Sequence, residues 1–517
     1  MSKGIKLLPI DKVAAKIGLR PDDLEFYGQY KAKILSSTIN HPSSNLILVT
    51  AMTPGKFGEG KTTVAIGLSE ALWQLGQKNI VVLREPSLGP CFGMKGGACG
   101  GGKATVEPSD NINFHFTGDI HAVTYAHNLL SSMIDNSIYF DNPLGIDRAS
   151  IFWPRVIDLN DRALRDITTR MSKKSGEVIE QKTRFDISVT SEVMAILGLA
   201  QDERDLKTRL AQIVVGFDKG GQPLTAKMLK AEGAMAFLLK DAIRANLVQT
   251  SAGTPAVIHT GPFANIAHGT PSLLAIKTAQ KLAPYTIVEA GFGADLGAEK
   301  FINIVSRIGG LKPKVAVLIA TCRAVEENGI ANLAHHTKNL QNFGLKVVLC
   351  LNRFDNDAIE TIKTIKQFAS DNNLPLAEAF VFQKGGEGGI KLADLVIKAC
   401  QDTVNPKLAF TYDLFDSVET KILKLCQKIY GAKCVEYSDL AQLQLIKFAQ
   451  FVQSFYICMA KTQYSLSDDP EIKGVPKDYT FKIREIRLAA GAQFLIPVAG
   501  EMMTMPGLPR HPLAENF

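Results

Sequence analysis

The chain has 517 residues, 46% of them hydrophobic and 21% charged, which supplies a large core and excludes global disorder. Its net charge of +7 is spread thinly, without blocks of like charge, and this speaks against nucleic acid as a partner. The longest uncharged stretch, Ala245 to Ile276, is broken by Pro255, Pro262 and Pro271, so it reads as buried loops and strand ends rather than a membrane span. No membrane partner and no secretory signal are expected. The eight cysteines form no CxxC pair, and a reduced, cytoplasmic protein without a structural zinc follows.

Taken in chain order, Asn45 to Thr50 is a short apolar run of the kind that fills the centre of a parallel sheet. A glycine loop follows, then a helical pattern from Thr62 to Leu75 closed by Gly76, then the apolar strand Ile80 to Leu83. That is one βαβ unit. Val315 to Ile319 and Val347 to Leu351 predict further parallel strands, ending in the polar residues Thr321–Arg323 and Asn352-Arg353. Ligands bind at such carboxyl ends in open α/β sheets. The expected fold class is α/β. A P-loop nucleotide-binding domain with a mostly parallel sheet is placed over 1–310, a second α/β domain over 311–405, and a smaller C-terminal domain over 406–517. Gly309-Gly310 and Pro406 mark the boundaries.

Gly55-Lys56-Phe57-Gly58-Glu59-Gly60-Lys61-Thr62 matches GxxxxGK[ST] and sits between the predicted strand and helix, the context that gives the pattern meaning. Glycines let successive backbone N–H groups point into one concavity, and the helix N-terminus adds partial positive charge. Lys61 then reaches the β and γ phosphates of a nucleoside triphosphate, and the Thr62 hydroxyl ligates its Mg²⁺. Directly after the second strand, Arg84 can place a guanidinium near the transferred phosphate. A GTPase would also need DxxG and NKxD elements. Asp218-Lys-Gly-Gly221 fits the first, but Asn352-Arg-Phe-Asp355 carries arginine where lysine is needed, so a GTPase switch is the alternative reading. Two glycine runs, Gly93–Gly102 and Gly385–Gly389, read either as close approaches to a ligand or as turns. Asn113 to His121 brings His115, Asp119 and His121 together, with His127 following.

The blocks TPGKFGEGKTT, REPSLGPCFGMKGGACGGG, INFHFTGDIHAV, GPFANIAHG, EAGFGADLGAEKF, FQKGGEGG, CMAKTQYSLSDDP and MTMPGLPRHP occur in this order and resemble the formate–tetrahydrofolate ligase family along nearly the whole chain. The resemblance is to the monofunctional, mostly bacterial form, a homotetramer. It implies ATP, formate and tetrahydrofolate as partners, Mg²⁺ with the ATP, and a monovalent cation such as K⁺ or NH₄⁺. Formate attacks the γ-phosphate to give formyl phosphate and ADP, and the folate N10 amine then takes the formyl group. By position in the matching blocks, Lys61, Arg84 and Asp119 are the implied catalytic residues, with His121 or His268 as further partners of the amine. The family stacks its pterin between a phenylalanine and a tryptophan; here these positions are Phe354 and Phe382, the second a departure. The segment from Cys322 to Leu340 is shorter than its counterpart in the family.

Overall fold

The computed structural model describes residues 6–35, 44–55, 58–93, 98–264, 266–402, 407–449 and 454–516, leaving aside the side chain at 449. Lys56 and Phe57 of the loop, and the Pro406 boundary, lie outside these residues.

Among the described residues one twelve-stranded sheet organises the chain. Its main path is made by β1 (Leu24–Phe26), β2 (Ala32–Ile34), β3 (Asn45–Ala51), β4 (Asn79–Leu83), β5 (Asn246–Thr250), β6 (Pro255–Ile258), β7 (Tyr285–Glu289), β8 (Pro313–Ala320), β9 (Lys346–Asn352) and β10 (Leu376–Ala379). The order across the sheet is β1-β2-β5-β6-β4-β7-β3-β8-β9-β10. Every pairing from β6 to β10 is parallel, while β1, β2 and β5 add an antiparallel edge. The central strand shows why both faces must be covered. Leu46 and Leu48 pack into one apolar cluster, and the alternating Ile47, Val49 and Ala51 pack into the other.

The predicted βαβ unit is present as β3, helix α1 (Lys61–Gln74) and β4, although β4 is not the neighbour of β3; β7 is inserted between them. The expected boundary at residue 310 falls inside the sheet, because β8 hydrogen-bonds to β3 along its length. Gly310 takes a left-handed conformation (φ 64°) at the end of a short helix, so the glycine pair terminates a helix there. The stretch that the sequence assigns to a C-terminal domain forms small sheets of its own, such as Tyr456–Ile457 with Phe494–Val498. Its apolar residues, Phe494 and Val498 among them, belong to the same cluster as Val193 and Leu197.

One glycine run is explained by packing. The Gly385–Gly389 turn lies against α1: a Cβ at Gly389 would stand 3.0 Å from the Gly67 carbonyl oxygen, and one at Gly386 would stand 2.8 Å from the Glu70 Cβ. Reciprocally, a Cβ at Gly67 would meet Val381 Cγ1 at 2.4 Å. These glycines bring two backbones together rather than a backbone and a ligand. Gly67→Ala therefore opposes two effects: better helix propensity, worth about 1 kcal/mol, and overpacking against Val381, costing roughly 1–3 kcal/mol. We expect a lower melting temperature by calorimetry; a rise would show that Val381 moves aside freely.

Candidate functional site

The loop between β3 and α1 opens at the carboxyl edge of the sheet, beside the ends of β7, β8 and β9. Gly58 (φ 73°) and Gly60 (φ 71°) hold left-handed conformations, so glycine is required where the chain turns into α1. The buried Glu59 closes the loop on itself: the Gly55 N–H donates to its Oε1 at 2.9 Å, and the Thr321 hydroxyl, at the end of β8, donates to Oε2. From the end of β9, Asn352 Nδ2 donates to the Glu59 carbonyl at 3.1 Å. A Cβ at Gly60 would stand 2.6 Å from that same amide nitrogen.

Inside this cradle, the Thr62 hydroxyl donates to Glu289 Oε2 at 2.8 Å. Glu289 ends β7, the strand beside β3, and is buried. Its other oxygen stands 3.8 Å from Arg84 Nη2. A hydroxyl and a carboxylate side by side, one on the loop and one on the adjacent strand end, form the hard-oxygen pair that suits Mg²⁺ on a bound phosphate. Sequence reasoning missed Glu289; the available signals were a strand-like stretch, Thr286 to Val288, ending abruptly in an acid, and the place of that acid at the head of the EAGFGADLGAEKF block. Burial pushes the Lys61 ammonium below the usual lysine range, and Glu289 and Glu59 oppose that shift. The site therefore concentrates positive groups that gain by meeting an anion.

Arg84 leaves β4 into the same space. Its Nη1 donates to the Pro262 carbonyl at 3.3 Å, and a Cβ at Gly291 would stand 2.9 Å from that nitrogen, so the close pass of the 291 backbone depends on glycine. His268 is fully buried, both ring nitrogens lack a partner among the described residues, and burial beside Lys300 and Arg84 drives its pKa down to about 3. It is neutral and sits within electrostatic reach of Arg84. His121 is placed differently: it is exposed on α2 (Asp119–Tyr139) with its ring 4.3 Å from that of Tyr125. His127 is spent on structure, bonded to the Ser191 hydroxyl at 2.8 Å and the Pro154 carbonyl at 2.7 Å. Among the described residues no group of three His, Cys, Asp or Glu could hold a metal ion.

Asp119 occupies the first turn of α2 and is buried. Both of its oxygens are engaged, one by Lys33 Nζ at 2.7 Å and the other by Asn246 Nδ2 at 2.7 Å. Glu85, next to Arg84, has its carboxyl pushed well up by burial and, to a lesser extent, by the Asp119 charge.

Phe354 and Phe382 lie on adjoining segments, after β9 and after β10. Their successors are bonded to each other, Gln383 Nε2 to Asp355 Oδ1 at 3.3 Å. Phe382 is 49% exposed, so it is no core residue, and the Gly101 backbone lies against its ring, a Cβ there being 3.1 Å from Cε2. On the other side the Arg323 guanidinium lies 4.1 Å above the Phe354 ring. The alternative reading fares less well in detail. Asp218–Gly221 is the turn of a hairpin between Val214–Phe217 and Pro223–Thr225, outside the main sheet, where Asp218 Oδ1 accepts from the Gly220 and Gln222 N–H groups. No helix among the described residues is long and apolar enough to cross a membrane.

Fold and site together define an α/β protein whose strand–glycine loop–helix unit opens at the carboxyl edge of a parallel sheet. The sequence profile of formate–tetrahydrofolate ligase matches residues 1–517. The formate–tetrahydrofolate ligase of Bacillus licheniformis is 46% identical over 532 residues, spanning 98% of this chain and 95% of that protein. The chain belongs to the formate–tetrahydrofolate ligase family. Among solved structures, translation elongation factor SelB from Methanococcus maripaludis, in complex with the GTP analogue GppNHp, is similar at 16% identity over 23% of this chain and 26% of that one. With a TM-score of 0.17 that likeness carries no argument.

The Lys33–Asp119 pair makes a prediction of its own. Asp119→Asn leaves Lys33, itself fully buried, without its counter-charge, which costs roughly 3–5 kcal/mol. Thermal denaturation should show a large fall in melting temperature, whatever happens to turnover. An unchanged melting temperature would mean that Asp119 is dispensable to the fold.

Proposed function

We propose that this protein joins formate to tetrahydrofolate at the expense of ATP, releasing 10-formyltetrahydrofolate, ADP and phosphate through formyl phosphate. The observation that carries the reading is the meeting of Thr62, Glu289 and Arg84 at the mouth of the glycine loop, in a chain of this family. Formate is already an anion, so the first step needs charge neutralisation and alignment rather than a strong base. The loop N–H groups and Lys61 receive the γ-phosphate. Thr62 and Glu289 would hold Mg²⁺, which supplies charge neutralisation on the β and γ phosphates when bound. Arg84, kept in line by Glu289 and the Pro262 carbonyl, grips the phosphate of the acyl intermediate and steadies it as leaving group. Lys56 and Phe57 complete the nucleotide loop in this reading.

The pterin lies between Phe354 and Phe382, with the N10 amine turned towards Arg84. Asp119 acts as part of the Lys33–Asp119 pair, setting charge near the amine, and of the two histidines the buried, neutral His268 is the one that feels the Arg84 charge. A monovalent cation such as K⁺ or NH₄⁺ is expected from the family; no residues are assigned to it and no step depends on it. The enzyme works as a cytoplasmic homotetramer in this reading. The test is ADP release, measured with each substrate omitted in turn. Release that needs both formate and tetrahydrofolate, with ATP preferred to GTP, is the expected result. GTP hydrolysis in the absence of both would overturn the proposal in favour of a GTPase.

Phe382 gives a second expectation. Stacking on an aromatic side chain is worth about 1–3 kcal/mol per base, and an exposed ring leaves no interior cavity when removed. Phe382→Ala should raise the KM for tetrahydrofolate roughly five- to a hundredfold, with the KM for ATP and the melting temperature little changed. Phe382→Trp should lower the folate KM modestly. A fall in melting temperature with an unchanged folate KM would remove Phe382 from the slot.

A further inference from the structure

The residue that leads β3 into the glycine loop is Thr53, and it is fully buried. The segment Cys322–Asn342 runs behind it as two helices that meet at a kink at Gly329 (φ 77°): Asn328 stands at the end of the first, and Asn332 and His336, spaced four apart, share one face of the second. All three are buried and all three bind Thr53. The Thr53 N–H donates to His336 Nε2 at 3.0 Å and to Asn332 Oδ1 at 3.3 Å. The Thr53 hydroxyl receives Asn332 Nδ2 at 3.0 Å and lies 2.9 Å from His336 Nε2. Asn328 Nδ2 donates to the Thr53 carbonyl at 3.4 Å. The Thr53 N–H and hydroxyl are thus held by one helix face, and its carbonyl by the residue just before the kink. A backbone N–H can only donate, so His336 Nε2 accepts and its proton sits on Nδ1; burial, with a pKa of about 4, keeps the ring neutral in that form.

Two contacts bring the C-terminal segment to the same point. Asn332 Nδ2 also donates to the Gly474 carbonyl at 3.0 Å. Lys461 Nζ stands 2.7 Å from Asp295 Oδ2, both side chains buried, and the ammonium also donates to the Thr462 carbonyl at 3.0 Å. Gly293 lies between Asp295 and the loop's root. A Cβ at Gly293 would stand 2.5 Å from Asp295 Oδ1, 3.4 Å from the Met52 carbonyl oxygen and 3.6 Å from the Thr53 Cα. The Asp295 charge also acts on His336, raising its pKa against the larger effect of burial.

We propose that Asn332 and His336, backed by Gly474 and the Asp295–Lys461 pair, are positioning residues that set the nucleotide loop through Thr53, so that the C-terminal segment fixes how the loop presents its N–H groups to ATP. The inference rests on the loop being the ATP site. Helix α1 holds the loop's far end, Glu59 and Asn352 tie its middle, and the Met52 N–H still donates to the Ile319 carbonyl at 3.1 Å; at Thr53, the next residue, the hydrogen bonds come from the side chains of Asn328, Asn332 and His336. A shift of about 1 Å at the root carries into the cradle, and displacement on that scale can cost a hundredfold in catalysis.

Steady-state kinetics on His336→Leu, His336→Gln and Thr53→Val, each with its melting temperature, test the proposal. His336→Leu removes the acceptor; glutamine restores an oxygen at similar reach; Thr53→Val deletes only the hydroxyl and leaves the helix untouched. We expect His336→Leu to raise the KM for ATP about tenfold or more with the KM for tetrahydrofolate unchanged, glutamine to recover most of that loss, and Thr53→Val to raise the ATP KM by a smaller factor. Should His336→Leu fail to fold, Thr53→Val alone decides by the same split between ATP and folate. A lowered melting temperature with an unaltered ATP KM in the folded variants would overturn the positioning role while leaving the loop as the ATP site. Failure of the unmodified protein to bind MgATP would overturn the reading of the loop, and the inference with it.

Discussion

The arrangement depends on one buried carboxylate. Glu59 lies within the loop, accepts from the Gly55 N–H, and receives the Thr321 hydroxyl from the neighbouring strand end. A loop rich in glycine has the most conformational freedom to lose, and here the loss is compensated by a charged acceptor that ties both of its arms to the sheet. Asn352 adds a third tie from the next strand. The loop is thereby referred to β8 and β9 as well as to β3, and the segments that follow those strands also carry Arg323 and Phe354, the guanidinium stacked on the ring. One clasp places the phosphate cradle and the aromatic wall in a common frame.

Around that frame the protein leaves polar atoms unsatisfied where a core would not. Among the described residues Arg84 Nε, Glu85 Oε2, the Thr260 and Thr270 hydroxyls and both nitrogens of His268 are buried without a hydrogen-bond partner. A buried polar group left without a partner costs about 1–3 kcal/mol. Thr260 and Phe292 also hold positive φ, at 54° and 56°, which disfavours side-chain-bearing residues. Strain and unmet hydrogen bonding occur together beyond the ends of β4, β6 and β7, a combination that in other proteins collects at ligand sites. The depressed pKa of Lys61 belongs to the same pattern, since its positive charge is held at a cost until an anion arrives.

Much of this was legible in the sequence, and the reasons for the remainder are physical. The GxxxxGK[ST] pattern between an apolar run and a helical one located the loop, because backbone curvature and helix dipole are local properties. Arg84 was legible as the first residue after a strand. Glu289 was not, since a single acid after an apolar run has no spacing signature, and only the insertion of β7 between β3 and β4 brings it to Thr62. The meaning of Gly385–Gly389 was hidden likewise: the sequence shows the flexibility, and the fold shows that α1 fills the space. The expected division at 310 rested on a glycine pair that ends a helix, while the pairing of β8 with β3 is a long-range fact with no local trace. Asn332 and His336 have helical spacing, yet polar residues at that spacing usually mark a solvated face, and the kink at Gly329 that brings Asn328 to the same residue has no signature beyond one glycine.

The central claim is that the glycine loop binds ATP through Lys61, and titration calorimetry with MgATP tests it most directly. The unmodified protein should bind, and Lys61→Ala should weaken binding and turnover on the order of a hundredfold or more. Because burial already disfavours the Lys61 ammonium, its removal should not lower the melting temperature. Near-normal MgATP affinity and turnover in a folded Lys61→Ala protein would contradict the account.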